Sequence, residues 1–141
     1  MSGYLLVRAD GRQYGLPIEE VVEVVDRAAP EPVPGGQRAV RGVVKVRGQM
    51  LPVVHLGALL NDRIPPEEET GTMVVTRFSD RRVAFEVDDA DAVVRDLPIP
   101  VPPGSELPLA SGLAHYHDAL IPVLDVELLG ARLVTDNSGP T

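Results

Sequence analysis

The chain has 141 residues, a formal net charge of −8 and no cysteine. The length suits one ordinary domain or two small ones. The acidity argues against nucleic acid, whose phosphates need a concentrated basic patch, and the lack of thiols excludes a disulfide framework, a cysteine-ligated metal and a thiol nucleophile.

In chain order the sequence reads as short Val-rich strands broken by Gly, Pro and Asp, the composition of a sheet protein. Strands are predicted at 4–9 and 13–17, with a turn at Asp10-Gly11, and then at 22–25. A Pro-bearing loop at 28–36 leads to strands 41–47 and 50–55, hinged on Arg47-Gly48. The stretch Pro65-Pro66-Glu67-Glu68-Glu69-Thr70-Gly71 reads as a connection. Further strands follow at 72–78 and 82–87, turning at Ser79-Asp80, then at 92–95, 112–117 and 119–125. The Pro-rich stretch 97–104 reads as an extended scaffold loop rather than a peptide ligand. Helical candidates are short: 18–21, 56–60 and 126–129. The tail 134–141 should fray. No apolar run approaches the ~18 residues of a membrane span. Met1-Ser2-Gly3 leads into a strand with no charged n-region, so no signal peptide is expected.

A shift of 70 residues aligns the two halves without a gap, carrying Asp10 onto Asp80, Gly42 onto Gly112, and Pro52-Val53 onto Pro122-Val123. Two copies of one five-strand unit are expected, at 1–66 and 67–133. Alone, a unit of that size hides only about 60% of its unfolded surface. The halves should therefore pack together, leaving a groove between them. Sequential short strands suggest local closure of each unit, although strand exchange across the boundary is open.

Chemistry is sparse. There is no nucleophile elbow, phosphate loop or HExxH motif, and no spacing singles out a pair of carboxylates. No catalytic residue, cofactor or metal site is expected. His115 and His117 share a strand face if the strand runs through them, but a zinc site needs three or four ligands. The acidic run Glu86, Asp88, Asp89 and Asp91 lacks calcium-loop spacing and reads as a solvated strand end.

The densest pattern is Arg41-Gly42, Val46-Arg47-Gly48, Pro52-Val53 and Leu56, several unusual residue types at fixed offsets. Glycine supplies the positive φ of a two-residue hairpin, which puts the Arg47 guanidinium at a tip. This pattern, with Val21-Val22-Glu23-Val24 upstream, resembles the CheW family of chemotaxis adaptors. The resemblance covers about residues 4–133. It implies an all-β fold of two tandem five-stranded SH3-like barrels packed side by side, with short helical turns. It implies a non-catalytic adaptor that couples the cytoplasmic tip of a chemoreceptor to a CheA-type histidine kinase, in the cytoplasm at membrane-associated receptor arrays.

Residue by residue, the resemblance assigns Val21, Glu23, Gly42 and Arg47 to the receptor groove. No motif carries the kinase surface over. Each assignment has a plainer counterpart: a surface Arg beside a turn, a solvated strand charge at Glu23, a bulge glycine at Gly42. A Glu23–Arg47 ion pair is a further expectation. Two positions depart from the family pattern: His55 stands where Asp or Asn is usual, and Gly57 where Arg is common. Two other readings stay open. One is the same scaffold in a chemosensory pathway with a non-motility output. The other is a ligand-binding or enzymatic barrel protein using the cleft and His115/His117.

Overall fold

The computed structural model describes residues 3–33, 37–67, 71–78, 80–96, 98–101 and 109–136. The elements are β1 (Tyr4–Ala9), β2 (Arg12–Pro17), a 3-10 turn (Ile18–Glu20), β3 (Val21–Asp26), β4 (Val40–Val46), β5 (Gln49–His55) and α1 (Leu56–Asn61). They continue with β6 (Thr72–Phe78), β7 (Arg81–Val87), β8 (Asp89–Val94), β9 (Ile99–Pro100), β10 (Ala110–Tyr116), β11 (Ala119–Leu124) and α2 (Val126–Asp136).

Three hairpins turn on two residues that both have positive φ: Asp10 (53°) with Gly11 (75°), Arg47 (48°) with Gly48 (80°), and His117 (47°) with Asp118 (62°). This geometry matches the right-handed twist of the flanking strands. The second and third turns are related by the 70-residue repeat. The strand predicted at 112–117 therefore stops at Tyr116. His117 lies in the turn, and its face no longer matches that of His115.

The strands form two sheets, in the orders β3-β6-β7-β5-β4 and β8-β1-β2-β11-β10-β9. Register shifts in β3–β6, β4–β5, β1–β8 and β10–β11 mark bulges. Bulges bend strands, and each sheet curls into a small SH3-like barrel. Sheet membership does not follow the 66/67 boundary. The first hairpin, β1–β2, joins the C-terminal strands, while β6–β7 completes the sheet of β3, β4 and β5.

The core explains the exchange. Val44, Leu51, Val53, Met73, Val75 and Ala84 fill one barrel. Tyr4, Leu6, Ala114, Ile121 and Val123 fill the other. The largest cluster lies between them, with Leu5, Val7 and Leu16 from one sheet against Val54, Val74 and Phe85 from the other. β1 and β7 therefore bury both faces, and only a hairpin shared across the boundary can do so.

Each long loop adds a short pairing beside a repeat glycine. Glu31 exchanges hydrogen bonds with Val43 (2.8 and 2.9 Å) next to Gly42, and β9 pairs with β10 at Gly112 and Leu113. The tail expectation needs correction. Helix α2 runs from 126 through Asp136, because Leu129 and Leu133, four residues apart on one face, both pack on the main core. Residues 137–141, 68–70 of the connection and 102–104 of the Pro-rich loop lie outside the described residues.

Candidate protein-docking site

β3 and β4 are the two outermost strands of the five-stranded sheet, β4 paired on its outer side only at Val43 with Glu31. Backbone hydrogen bonding does not join them, so side chains close the barrel's seam. At one end, Arg47 Nε donates to both oxygens of Glu23, at 3.1 and 2.9 Å. The expected ion pair is present. Its hydrogen bond and charge raise the Arg47 pKa above its ordinary value. One nitrogen serves both oxygens, which leaves the end of the guanidinium outward on a side chain 77% exposed.

Val21 and Glu23 share the half-buried face of β3, and Val21 packs on the main core. The opposite face presents Val22 (36% exposed) and Val24 (46%) to solvent. These two valines were not singled out in the sequence. Five consecutive apolar or mixed positions do not say which parity of an edge strand faces out. Gly42 sits apart from Glu23 and Arg47 under the loop segment 31–33, which bridges to β4 at Val43. A Cβ there would fall 2.1 Å from the Glu31 carbonyl oxygen. The structure thus gives Gly42 a backbone role, letting the 31–33 segment lie against β4.

At the other end of the seam is a buried polar cluster. Glu86 on β7 is 2% exposed, which corrects its reading as part of a solvated run; only Asp88, Asp89 and Asp91 of that run are exposed. Arg41 Nε on β4 donates to Glu86 Oε1 at 2.8 Å. Arg27 Nε, just past β3, lies 3.9 Å from Oε2, and His55 Nε2 lies 3.8 Å from Oε1. The cluster ties both outermost strands to the sheet's centre.

His55 also caps α1: its Nδ1 accepts from the Ala58 N–H at 3.0 Å. That is the job an Asp or Asn does at such a position, so the departure at residue 55 preserves the cap. Gly57 has a similar explanation. A Cβ there would meet the Asp10 carboxylate at 2.6 Å. Asp10, in the β1–β2 turn, accepts from Asn61 (2.8 Å) and Arg63 Nε (3.0 Å), latching one barrel to the other.

Burial and the nearby Arg41 push the His55 pKa down, against the pull of Asp10 and Asp88; Arg63 adds to the depression. The folded protein keeps this imidazole neutral, while the unfolded chain protonates it near the ordinary value of about 6.5. Between those two values the unfolded state binds more protons. This contribution is therefore complete above the ordinary imidazole range and is lost as pH falls through it. The thermal midpoint is expected to drop between pH 7 and pH 5.5. His55→Asn, which keeps a cap acceptor, should shed that part of the pH dependence, whereas His55→Ala should shed it too and cost about 0.5–2 kcal/mol at pH 7 and above by losing the cap. Equal pH profiles for wild type and His55→Asn would show that His55 does not carry the effect.

His115 and His117 are exposed at the β10–β11 tip, with His117 edge-on to Tyr116 at 4.3 Å. Among the described residues no three His, Asp or Glu side chains group closely enough to hold a metal. Among them, too, no helix is long and apolar enough to cross a membrane.

Comparison with known proteins agrees with this geometry. Chemotaxis protein CheW of Thermotoga maritima is 29% identical over 86 residues, covering 61% of this chain and 56% of that protein. Chemotaxis protein CheW of Bacillus subtilis is 27% identical over 92 residues, covering 64% and 58%. The chain thus matches less than two thirds of the length of either relative. Chemotaxis protein CheW of Helicobacter pylori is 25% identical over 120 residues, covering 82% and 73%. The crystal structure of scaffolding protein TtCheW from Thermoanaerobacter tengcongensis superposes with a TM-score of 0.80 at 20% identity, over 91% of each chain, and shows the same fold. The profile of the CheW-like domain matches residues 3–133, from the start of β1 into α2, and on that span the chain belongs to the CheW-like domain family.

Proposed function

We propose that this chain is a non-catalytic adaptor that links the cytoplasmic tip of a chemoreceptor to a CheA-type histidine kinase at membrane-associated receptor arrays. The observation that carries the reading is Arg47. It is fixed by Glu23 across an open sheet edge, yet its guanidinium end is free for a partner, with Val22 and Val24 exposed on the same edge strand. A held cation beside apolar surface is a combination that interface hot spots use, because a planar guanidinium pairs bidentately with carboxylates. Val21 supports that strand from behind, and Gly42 shapes the neighbouring edge. Family membership supports the same assignment.

In this mechanism no bond is made or broken on the adaptor. A receptor state influences the kinase only if it differs in free energy of contact with the adaptor. Modest single contacts suffice where many are linked in an array, because linkage raises effective concentration.

The test is binding of a purified receptor signalling tip and of a CheA regulatory domain to wild type, Arg47→Ala and Arg47→Glu. Arg47→Glu should weaken receptor binding by about thirtyfold or more, the loss that marks a hot spot, and leave the thermal midpoint nearly unchanged. Equal receptor binding by the charge-reversed variant removes Arg47 from the site. Failure of wild type to bind either partner removes the adaptor reading itself.

A further inference from the structure

The five-stranded sheet carries a second surface that contains none of Val21, Glu23, Gly42 or Arg47: an open groove of about 1120 Å³. Met50, Pro52 and Val54 of β5 share one face by the two-residue strand period. Burial falls steadily along it. Val54 is fully buried in the main core, Pro52 is half-buried, and Met50 is 56% exposed. The reason is α2, which covers only the inner end. Its Leu129 and Leu133 pack on that core, and Gly130 and Leu133 form one wall of the groove.

Beyond Met50 the groove opens on the end of the β6–β7 hairpin, where Arg81 shares the Met50 face, Arg77 and its register partner Arg82 stand on the other face at the sheet's end, and Asp80 is the single carboxylate. Three of the chain's 13 cationic residues thus stand together on a protein of net charge −8. Arg82 Nη1 lies 3.4 Å from Gln49 Oε1. Among the described residues, none of the three arginines lies within ion-pair distance of a carboxylate. The barrel fold does not require the cluster of three. At the matching positions of the other barrel the repeat keeps one arginine, Arg12, beside Val7 and Gly11. The apolar tip does recur, since Leu120, the counterpart of Met50, is 60% exposed.

We propose that this groove docks an acidic amphipathic helix of a partner protein, laid beside α2. The sheet face already accepts one helix through leucines four residues apart, and its uncovered end offers the same apolar floor. The arginine cluster selects acidic flanks on the incoming helix. Glu67 is not the occupant's acid: it precedes β6, and the strand separates Thr72 from Arg77 by about 17 Å at ~3.3 Å per residue. A second copy does not fit either: α1 carries no acid, and α2 sets Arg132 between Glu127 and Asp136, so neither is an acidic amphipathic helix.

The test uses a labelled helical peptide of about 18 residues, roughly 27 Å long, with Leu at i, i+4, i+7 and i+11 and Glu on both flanks. Its anisotropy is titrated with the full chain. Saturable binding that weakens with salt is expected, with a loss of about tenfold or more in Arg81→Glu/Arg82→Glu and in Met50→Asp. Leu120→Ser should leave binding unchanged, and circular dichroism checks that each variant is folded. Equal binding of a Lys-for-Glu peptide, no loss in the groove variants, or no saturation by about 1 mM overturns the proposal. So does a concentration-dependent dimer that Arg81→Glu dissociates, which puts a second copy in the groove.

Discussion

Glu86→Ala is expected to lower the unfolding free energy by about 3–5 kcal/mol, the usual cost of breaking a buried ion pair by removing one partner. Glu86 is 2% exposed and Arg41 only 9%, with 2.8 Å between Nε and Oε1. Without the carboxylate, Arg41 keeps its charge in a site with little water, and Arg27 and His55 lose the group they face. Replacing both members with apolar residues of similar volume has the opposite sign to breaking one. Arg41→Met/Glu86→Leu should therefore recover much of the loss. Urea denaturation of the two single variants and the double variant measures this directly. A cost under about 1 kcal/mol for Glu86→Ala would place the cluster with exposed ion pairs instead. Because the cluster ties both outermost strands to β7, amide exchange in β3 and β4 should rise first in the single variants.

The second large effect is at Gly42. Gly42→Ala is expected to cost about 2–4 kcal/mol, combining strain at a backbone conformation that side chains avoid with loss of neighbouring hydrogen bonds. The φ is 150°, and a Cβ would sit 2.1 Å from the Glu31 oxygen. The backbone there cannot yield without breaking the exchange between Glu31 and Val43. The repeat supplies a control. At Gly112 a Cβ would meet the Pro98 side chain at 2.9 Å and the Ile99 oxygen at 3.0 Å, with no positive φ. Gly112→Ala should therefore cost clearly less. Equal costs at the two positions would show that the close backbone approach at Gly42 is not what the glycine serves.

Hairpins and repeat were legible in the sequence because each rests on local chemistry. Arg47-Gly48 demands positive φ, and Pro52-Val53 recurs at Pro122-Val123 in the same strand position. Sheet membership was not legible. β1–β2 and β6–β7 are repeat equivalents, so their patterns suit either barrel, and only the core between the barrels decides. Glu86 was misread because three exposed aspartates follow it closely. The signal against that reading was its place after Val83-Ala84-Phe85, a run apolar on both faces. Of the four residues assigned to the groove, Glu23 and Arg47 meet as expected, Val21 stands behind them, and Gly42 is covered. The length of α2 was hidden by Gly130, which interrupts an otherwise regular Leu129–Leu133 spacing.

The exchanged hairpins also set a timetable for synthesis. Gly15 of β2 pairs with Val123 of β11, so the first hairpin leaves the ribosome long before its neighbour exists. At about 5–20 residues per second, that wait is on the order of 5–20 s. Leu5 and Val7 can pack once Val54, Val74 and Phe85 have been made, but Leu6 waits throughout for Ala114, Ile121 and Val123, and every copy of the protein passes through this interval while polysome neighbours expose the same side chain.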